Sequence, residues 1–272
     1  MGGRGQRSGG EKRRDPQAAL DELAATALLR ARLRERQLCE RYGSRRSGPL
    51  VSVLMPTWNR ARVIARAIDS VLAQRYESFE LIVVDDGSRD ATGELIRERY
   101  GSDPRLLYLP VEHGGVSRAR NVALARARGE LVAYLDSDNC WSESYLLVMA
   151  NLLADHPEAR SAYCGVLIQD RIRGARSLLL RDYDRAALLE RNFIDLNAFV
   201  HRWDLFRQRG GFRDDLPVLV DWELILRYTR GSDPLYADCV LATYLREEGL
   251  DHLTSRPDLG AAYDRVRSLH RE

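Results

Sequence analysis

Between Leu50 and Leu135, short apolar runs alternate with segments whose apolar residues recur every three to four positions. Leu50 to Met55, interrupted only by Ser52, reads as a buried strand, and Ile64, Ala67, Ile68, Val71 and Leu72 then fall on one face of a helix. The pattern repeats with strands at Phe79 to Val84, Arg105 to Leu109 and Glu130 to Leu135, and helices at Thr92 to Tyr100 and Ser117 to Ala127. Such alternation predicts an α/β fold, a mostly parallel Rossmann-like sheet with helices on both faces. Ligands of such sheets gather beyond the carboxyl ends of the strands. Attention therefore falls on Thr57 to Arg60, Asp85 to Ser88 and Asp136 to Asn139.

The flanks differ in character. Residues 1 to 14 form a Gly, Arg and Ser rich tail, and Asp15 before Pro16 signals the start of a helix. Leu20, Leu23, Ala24, Ala27, Ala31 and Leu38 make that helix amphipathic, Gly43 ends it, and Ser44 to Pro49 is a linker. Residues 1 to 48 carry 12 basic against 6 acidic side chains in a chain of net charge +2, so the remainder is net acidic. The arginines alternate with Asp21, Glu22, Glu35 and Glu40 without interleaved aromatic residues, which reads as a solvated helical extension; no nucleic-acid partner is expected. Beyond Ser142 we expect a helix to about Ala154, a strand at Ala162 to Ile168, a hairpin near Gly174 and a helix near Arg185 to Arg191. Asn197 to His201 reads as extended, Gly210 and Gly211 as a turn, Trp222 to Thr229 as helix and Leu235 to Arg246 as strand. The expected divisions are 1–48 as extension, 49–141 as nucleotide-binding half, 142–250 as acceptor half and 251–272 as a C-terminal tail.

Several classes are disfavoured. The longest apolar candidate, Tyr145 to Leu153, is broken by Asn151 and falls short of the roughly 18 residues a membrane helix needs. With no secretory signal pattern, a cytoplasmic or membrane-peripheral address is expected. Cys39, Cys140, Cys164 and Cys239 are scattered without CxxC spacing and read as free thiols. The first strand is not followed by GxGxxG, against a dehydrogenase, and Leu50 to Arg60 has no glycine, against a nucleotidyltransferase.

Asp136, Ser137 and Asp138 close an apolar strand, where residues i and i+2 project to the same side. The two carboxylates can hold a hard divalent cation against phosphate oxygens, although Asp-x-Asp alone also fits a solvated turn. Asp85 and Asp86 end another strand ahead of Gly87 and Ser88; helix capping accounts for one of them, and a carboxylate there can meet a nucleobase imide or ribose hydroxyl.

The runs VSVLMPTWN (Val51 to Asn59), LIVVDDGSRD (Leu81 to Asp90), GGVSRARN (Gly114 to Asn121) and YLDSD (Tyr134 to Asp138) resemble, in order and spacing, family 2 glycosyltransferases of the GT-A fold. The resemblance covers roughly residues 50 to 245. It implies inverting transfer of a single sugar from a nucleoside-diphosphate sugar to an acceptor hydroxyl, with Mn²⁺ or Mg²⁺ at Asp136 and Asp138. Pro56, Thr57, Asn59, Asp85 and Asp86 are the implied nucleotide contacts, joined by Arg118, Asn121, Asp136 and Ser137. Asp221, in GGFRDDLPVLVDWELILR, matches the general base, with a helix N-cap as its structural alternative and Glu223 as the nearest rival base. Trp222 is either an acceptor-pocket wall or core.

This chain departs from the pattern at Asn139, where many relatives have Asp, and at Val220, where Glu is common. The Gln-x-x-Arg-Trp motif of processive polymerases is absent, and His252 beside Asp251 stands where a third metal contact could lie, though a surface histidine is the simpler reading. A catalytically silent nucleotide-sugar-binding or scaffolding protein is the alternative, and the joint presence of Asp136, Asp138 and Asp221 argues against it.

Overall fold

The computed structural model describes residues 16–248 and 259–271; Asp15, Asp251 and His252 lie outside them. Four parallel strands form one half of the sheet: β1 (Val51–Thr57), β2 (Phe79–Asp86), β3 (Leu106–Val111) and β4 (Leu131–Tyr134), in spatial order β3-β2-β1-β4. Crossover helices α2 (Ile64–Leu72), α3 (Thr92–Tyr100) and α4 (Val116–Arg126) connect them. Every residue of β1, β2 and β4 is buried, as expected of parallel strands covered on both faces.

Beyond β4 the sheet changes sense. Strand β8 (Phe199–Arg202) runs antiparallel to β4, pairing Val200 with Ala133. Next come β6 (Ser161–Asp170), antiparallel to β8, then β9 (Leu235–Arg246), parallel to β6, and β5 (Cys140–Trp141), antiparallel to β9. Strand β7 (Ala175–Leu179) completes the expected hairpin with β6. The parallel reading therefore covers the first half of the sheet; the second half is mixed because hairpins and returning strands replace the helical crossovers that enforce parallel pairing.

The long helix α1 (Pro16–Tyr42) is not merely appended. Ala31, Leu38 and Tyr42 are buried, and the last two join the main core beside β9 and α5 (Tyr145–Asp155). Glu35 accepts hydrogen bonds from the Ser142 and Ser144 hydroxyls, while Arg41 and Arg45 pair with Asp155 at 3.0 and 2.5 Å. A chain beginning at Ser47 is expected to lose about 3 kcal/mol or more of unfolding free energy, from the burial of Leu38 and Tyr42 alone. Nucleotide affinity of the folded remainder should stay unchanged. Urea denaturation and calorimetry check both; an unshifted denaturation midpoint would take α1 out of the core.

Two helices lie where periodicity gave no signal. Six-residue α7 (Asp204–Arg209) is too short to show a period, and α9 (Leu259–His270) occupies the stretch read as a tail. Helix α9 packs on α6 (Arg185–Glu190) and α8 (Val220–Tyr228), burying Val266 and setting Tyr263 5.0 Å from Trp222. The four cysteines are free thiols.

Candidate active site

The ends of β1 and β2 are joined by short polar bonds. Thr57 sits beside Asp85 in the parallel register; both are buried, and the Thr57 hydroxyl has no partner within the protein. Buried hydroxyls without partners are rare, so this one is available to a ligand. Asp85 accepts from the Ser88 N–H at 2.9 Å and from the Tyr108 hydroxyl at 2.6 Å, which holds its carboxylate at the wall of a cleft of about 290 Å³ lined also by Asp90 and Arg97. Pro56 is buried within β1.

Other residues expected at the nucleotide make bonds within the loops. Asn59, with φ at 51°, donates its N–H to Ser88 Oγ and accepts the Arg89 N–H on its side chain. Asp86 accepts the N–H groups of Gly114 and Gly115 at 2.8 Å each and so fixes the entry to α4. Neither Asp85 nor Asp86 is a helix N-cap; that position before α3 belongs to Ala91. Gly87, at φ 72°, turns where a Cβ would meet the His113 backbone nitrogen at 2.9 Å. Asn121 spends both amide atoms on the backbone of Phe212, at 2.8 Å each, and Arg118 lies exposed along Gly114. These contacts give Asn59, Asp86 and Asn121 structural duties in the protein alone.

After β4 the chain turns instead of staying extended, the Asn139 N–H donating to the Asp136 carbonyl at 3.0 Å, so strand alternation does not apply; Asp136 and Asp138 are nevertheless partly open, while Ser137 and Asn139 are buried. Asn139 serves the sheet, its Oδ1 accepting the Leu245 N–H from β9 at 2.9 Å. Asp136 meets Arg120 Nη2 at 2.6 Å, and Asp138 lies 3.6 Å from Arg60 Nε. Among the described residues no group of three or more His, Cys, Asp or Glu side chains is arranged to hold a metal. Two carboxylates nevertheless fit Mg²⁺ or Mn²⁺, hard ions that keep several waters and take further oxygens from substrate phosphates.

Asp221 stands in the first turn of α8. The N-cap is Leu219, at φ 59°, a strained left-handed conformation for a branched apolar residue, and it has no capping side chain to offer. The capping alternative for Asp221 therefore falls away. Burial pushes its carboxyl above the usual range, Arg120 pulls it back, and Asp136 adds to the rise. Glu223 is engaged elsewhere: burial raises it, but the hydrogen bonds and charge of Arg227, with His270 Nε2 3.5 Å away, outweigh that and bring it to about 2. An anion so well satisfied is a poor proton acceptor. Trp222 is core, fully buried, with its indole N–H on the Leu188 carbonyl at 2.8 Å, and Val220 is buried at the helix start.

Three site residues escaped the sequence. Arg120 falls on the buried face of α4 with Ala119, Ala123 and Leu124, its guanidinium 5.1 Å over the Phe212 ring; a charge at such a position must have a partner, and that was the readable signal. Asn197, in a 3-10 turn at Leu196–Ala198, accepts the Asp136 N–H at 2.7 Å. Asp195 caps that turn, and burial, with Asp136 and Asp221 near and the Asn197 hydrogen bonds opposing, raises its carboxyl to about 6. Asp136, Asp195, Asp221 and Arg120 thus share one electrostatic neighbourhood.

The family model for glycosyl transferase family 2 matches residues 52–207, more than half of the chain. The chain belongs to this family. Among its relatives is the putative colanic acid biosynthesis glycosyl transferase WcaA of Escherichia coli (strain K12), 30% identical over 190 residues that cover 67% of each chain. This family 2 glycosyltransferase also resembles the crystal structure of S. aureus TarS 1-349 in complex with UDP-GlcNAc, with a TM-score of 0.67 at 23% identity, covering 81% of this chain and 66% of that one. The mannosyltransferase PcManGT from Pyrobaculum calidifontis, in complex with GDP-Man and Mn²⁺, gives 0.56 at 20% identity, covering 93% and 72%. These likenesses give the family 2 chain the GT-A-like fold. Against several other curated relatives it spans only 15 to 63% of their length. Among the described residues, no helix is long and apolar enough to cross a membrane.

Proposed function

We propose that this family 2 glycosyltransferase moves one sugar from a nucleoside-diphosphate sugar to an acceptor hydroxyl, with inversion at the anomeric carbon. The observation that carries the reading is the placement of Arg120, paired with Asp136 at 2.6 Å and lowering the Asp221 carboxyl by its charge. The proposed donor-side and base carboxylates thereby both feel the charge of one guanidinium.

Thr57 and Asp85 offer a hydroxyl and a carboxylate to the nucleoside. Asp221 takes the proton of the acceptor hydroxyl as its oxygen bonds to the anomeric carbon, and the nucleoside diphosphate departs from the opposite face with the electron pair of the broken bond. Desolvation suits Asp221 to this work, because a base raised towards the working pH accepts a proton more readily. Asp136 and Asp138 would hold Mg²⁺ or Mn²⁺, which when bound supplies positive charge against the diphosphate. The UDP-GlcNAc of the TarS complex and the GDP-Man with Mn²⁺ of PcManGT support the donor and metal readings.

Nucleoside-diphosphate binding is expected to need the cation, since two carboxylates repel a diphosphate on their own. In a thermal-shift series with UDP and GDP, one nucleotide with Mn²⁺ at about 100 times its dissociation constant should add about 2.7 kcal/mol of stability, and excess EDTA should remove it. Undiminished affinity in EDTA by calorimetry would end the metal role.

A further inference from the structure

One buried amide, Asn197, lies between Asp136 and Asp195, and each of its polar atoms has a partner. Its Oδ1 accepts the Asp136 backbone N–H at 2.7 Å; its Nδ2 donates to Asp195 Oδ1 at 2.7 Å and reaches Asp136 Oδ2 at 3.3 Å. Its own N–H donates to Asp195 Oδ1 at 2.8 Å, and its carbonyl accepts from Trp141 Nε1 at 2.7 Å. A backbone N–H only donates and an ionised carboxylate only accepts, so both ends of this amide are dictated by its neighbours.

The juxtaposition follows from strand register. Ala133 pairs with Val200 across antiparallel β4 and β8, and three residues further on Asp136 comes opposite Asn197. Asp136 lies beyond the last residue of β4, so the ladder no longer holds it. Side chains supply the restraint instead: Arg120 on Oδ1 and Asn197 on Oδ2 and on the backbone N–H. Each carboxylate oxygen keeps a second lone pair for another partner. Closing the turn at Asp195 needs no bond to the Asp136 carboxylate, so that bond is additional.

We infer that Asn197, its amide oriented by Asp195, is a positioning residue that sets the Asp136 carboxylate for a divalent cation. This rests on the metal role proposed for Asp136, and the two can fail separately. Partners behind a metal ligand fix its orientation, and their loss typically weakens metal binding about 10 to 100-fold.

Mn²⁺ binding to the full chain is measured by electron paramagnetic resonance with saturating UDP or GDP, whichever the native protein binds, and no acceptor. Asn197→Ala is expected to weaken Mn²⁺ about 10-fold or more. Asp195→Asn, which keeps the shape but frees the amide to turn, should weaken it by about threefold or more. Native Mn²⁺ affinity in Asn197→Ala, alongside its loss in Asp136→Asn, overturns the inference. Mn²⁺ retained in Asp136→Asn overturns the metal role instead. Should Asn197→Ala fail to fold, native Mn²⁺ affinity in Asp195→Asn is the overturning result.

Discussion

Asp221→Asn is expected to lower turnover by roughly 10² to 10⁴-fold while leaving donor affinity close to native. The amide keeps the size of the side chain and removes the proton acceptor. Little stability should be lost, because the cap of α8 is Leu219 and an asparagine side-chain oxygen can still accept the Trp222 N–H that the carboxylate accepts. The pH profile carries a second signature. Burial raises the Asp221 carboxyl, so the active, ionised form is reached only above the ordinary carboxylate range. Activity should therefore fall on the acid side at a pH higher than an exposed aspartate would give, and Asp221→Asn should abolish that limb. Glu223→Gln is the control: its carboxylate is tied to Arg227 at 2.8 Å, so its loss should cost stability more than rate. Near-normal turnover of Asp221→Asn with a working acceptor would remove Asp221 from the chemistry.

Arg120→Met should be the most destabilising single change at the site. Methionine keeps much of the packing over Phe212 but strands the Asp136 carboxylate and removes the charge that holds Asp221 down. Breaking a buried ion pair costs about 3 to 5 kcal/mol; Asp136 has a side chain 31% exposed, so screening lowers the expected loss to about 2 to 4 kcal/mol. With the arginine gone the Asp221 carboxyl rises, and the acid limb of any residual activity should move to higher pH. Saturating Mn²⁺ with nucleoside diphosphate should recover part of the lost melting temperature. An unchanged denaturation midpoint would mean that Arg120 and Asp136 do not support one another.

The parallel half of the fold was legible because burial on both faces leaves unbroken apolar runs, and helical spacing between them is unambiguous. Asp136 and Asp138 stand out in the sequence at the end of an apolar run, but the backbone there is a turn and not the extended strand that the run suggests. What could not be read is what distant segments do for one another. Arg118 and Arg120 sit two positions apart on one helix, yet one is exposed and the other buried, a difference set by the roughly 200° between them around the axis. The Asn121 amide bonds the Phe212 backbone and Asn59 Oδ1 accepts the Arg89 N–H, contacts that a local motif does not announce. Asn197 is 61 residues from Asp136, and only the register of β4 against β8 brings them together. The cap of α8 was not legible for a different reason: a left-handed leucine is a strained choice that propensity argues against.

Because β4 and β8 lie side by side, the two halves of this chain are not interchangeable parts. A chimera joined near residue 142 would take Asp136 and Arg120 from one parent, and Asn197 with the whole of β8 from the other. Acceptor preference transplanted in that way would arrive with a mismatched hinge at the metal-candidate carboxylate. Recombination that preserves function must exchange 195–202 together with the strand it borders, or leave both in place and vary the loops beyond them.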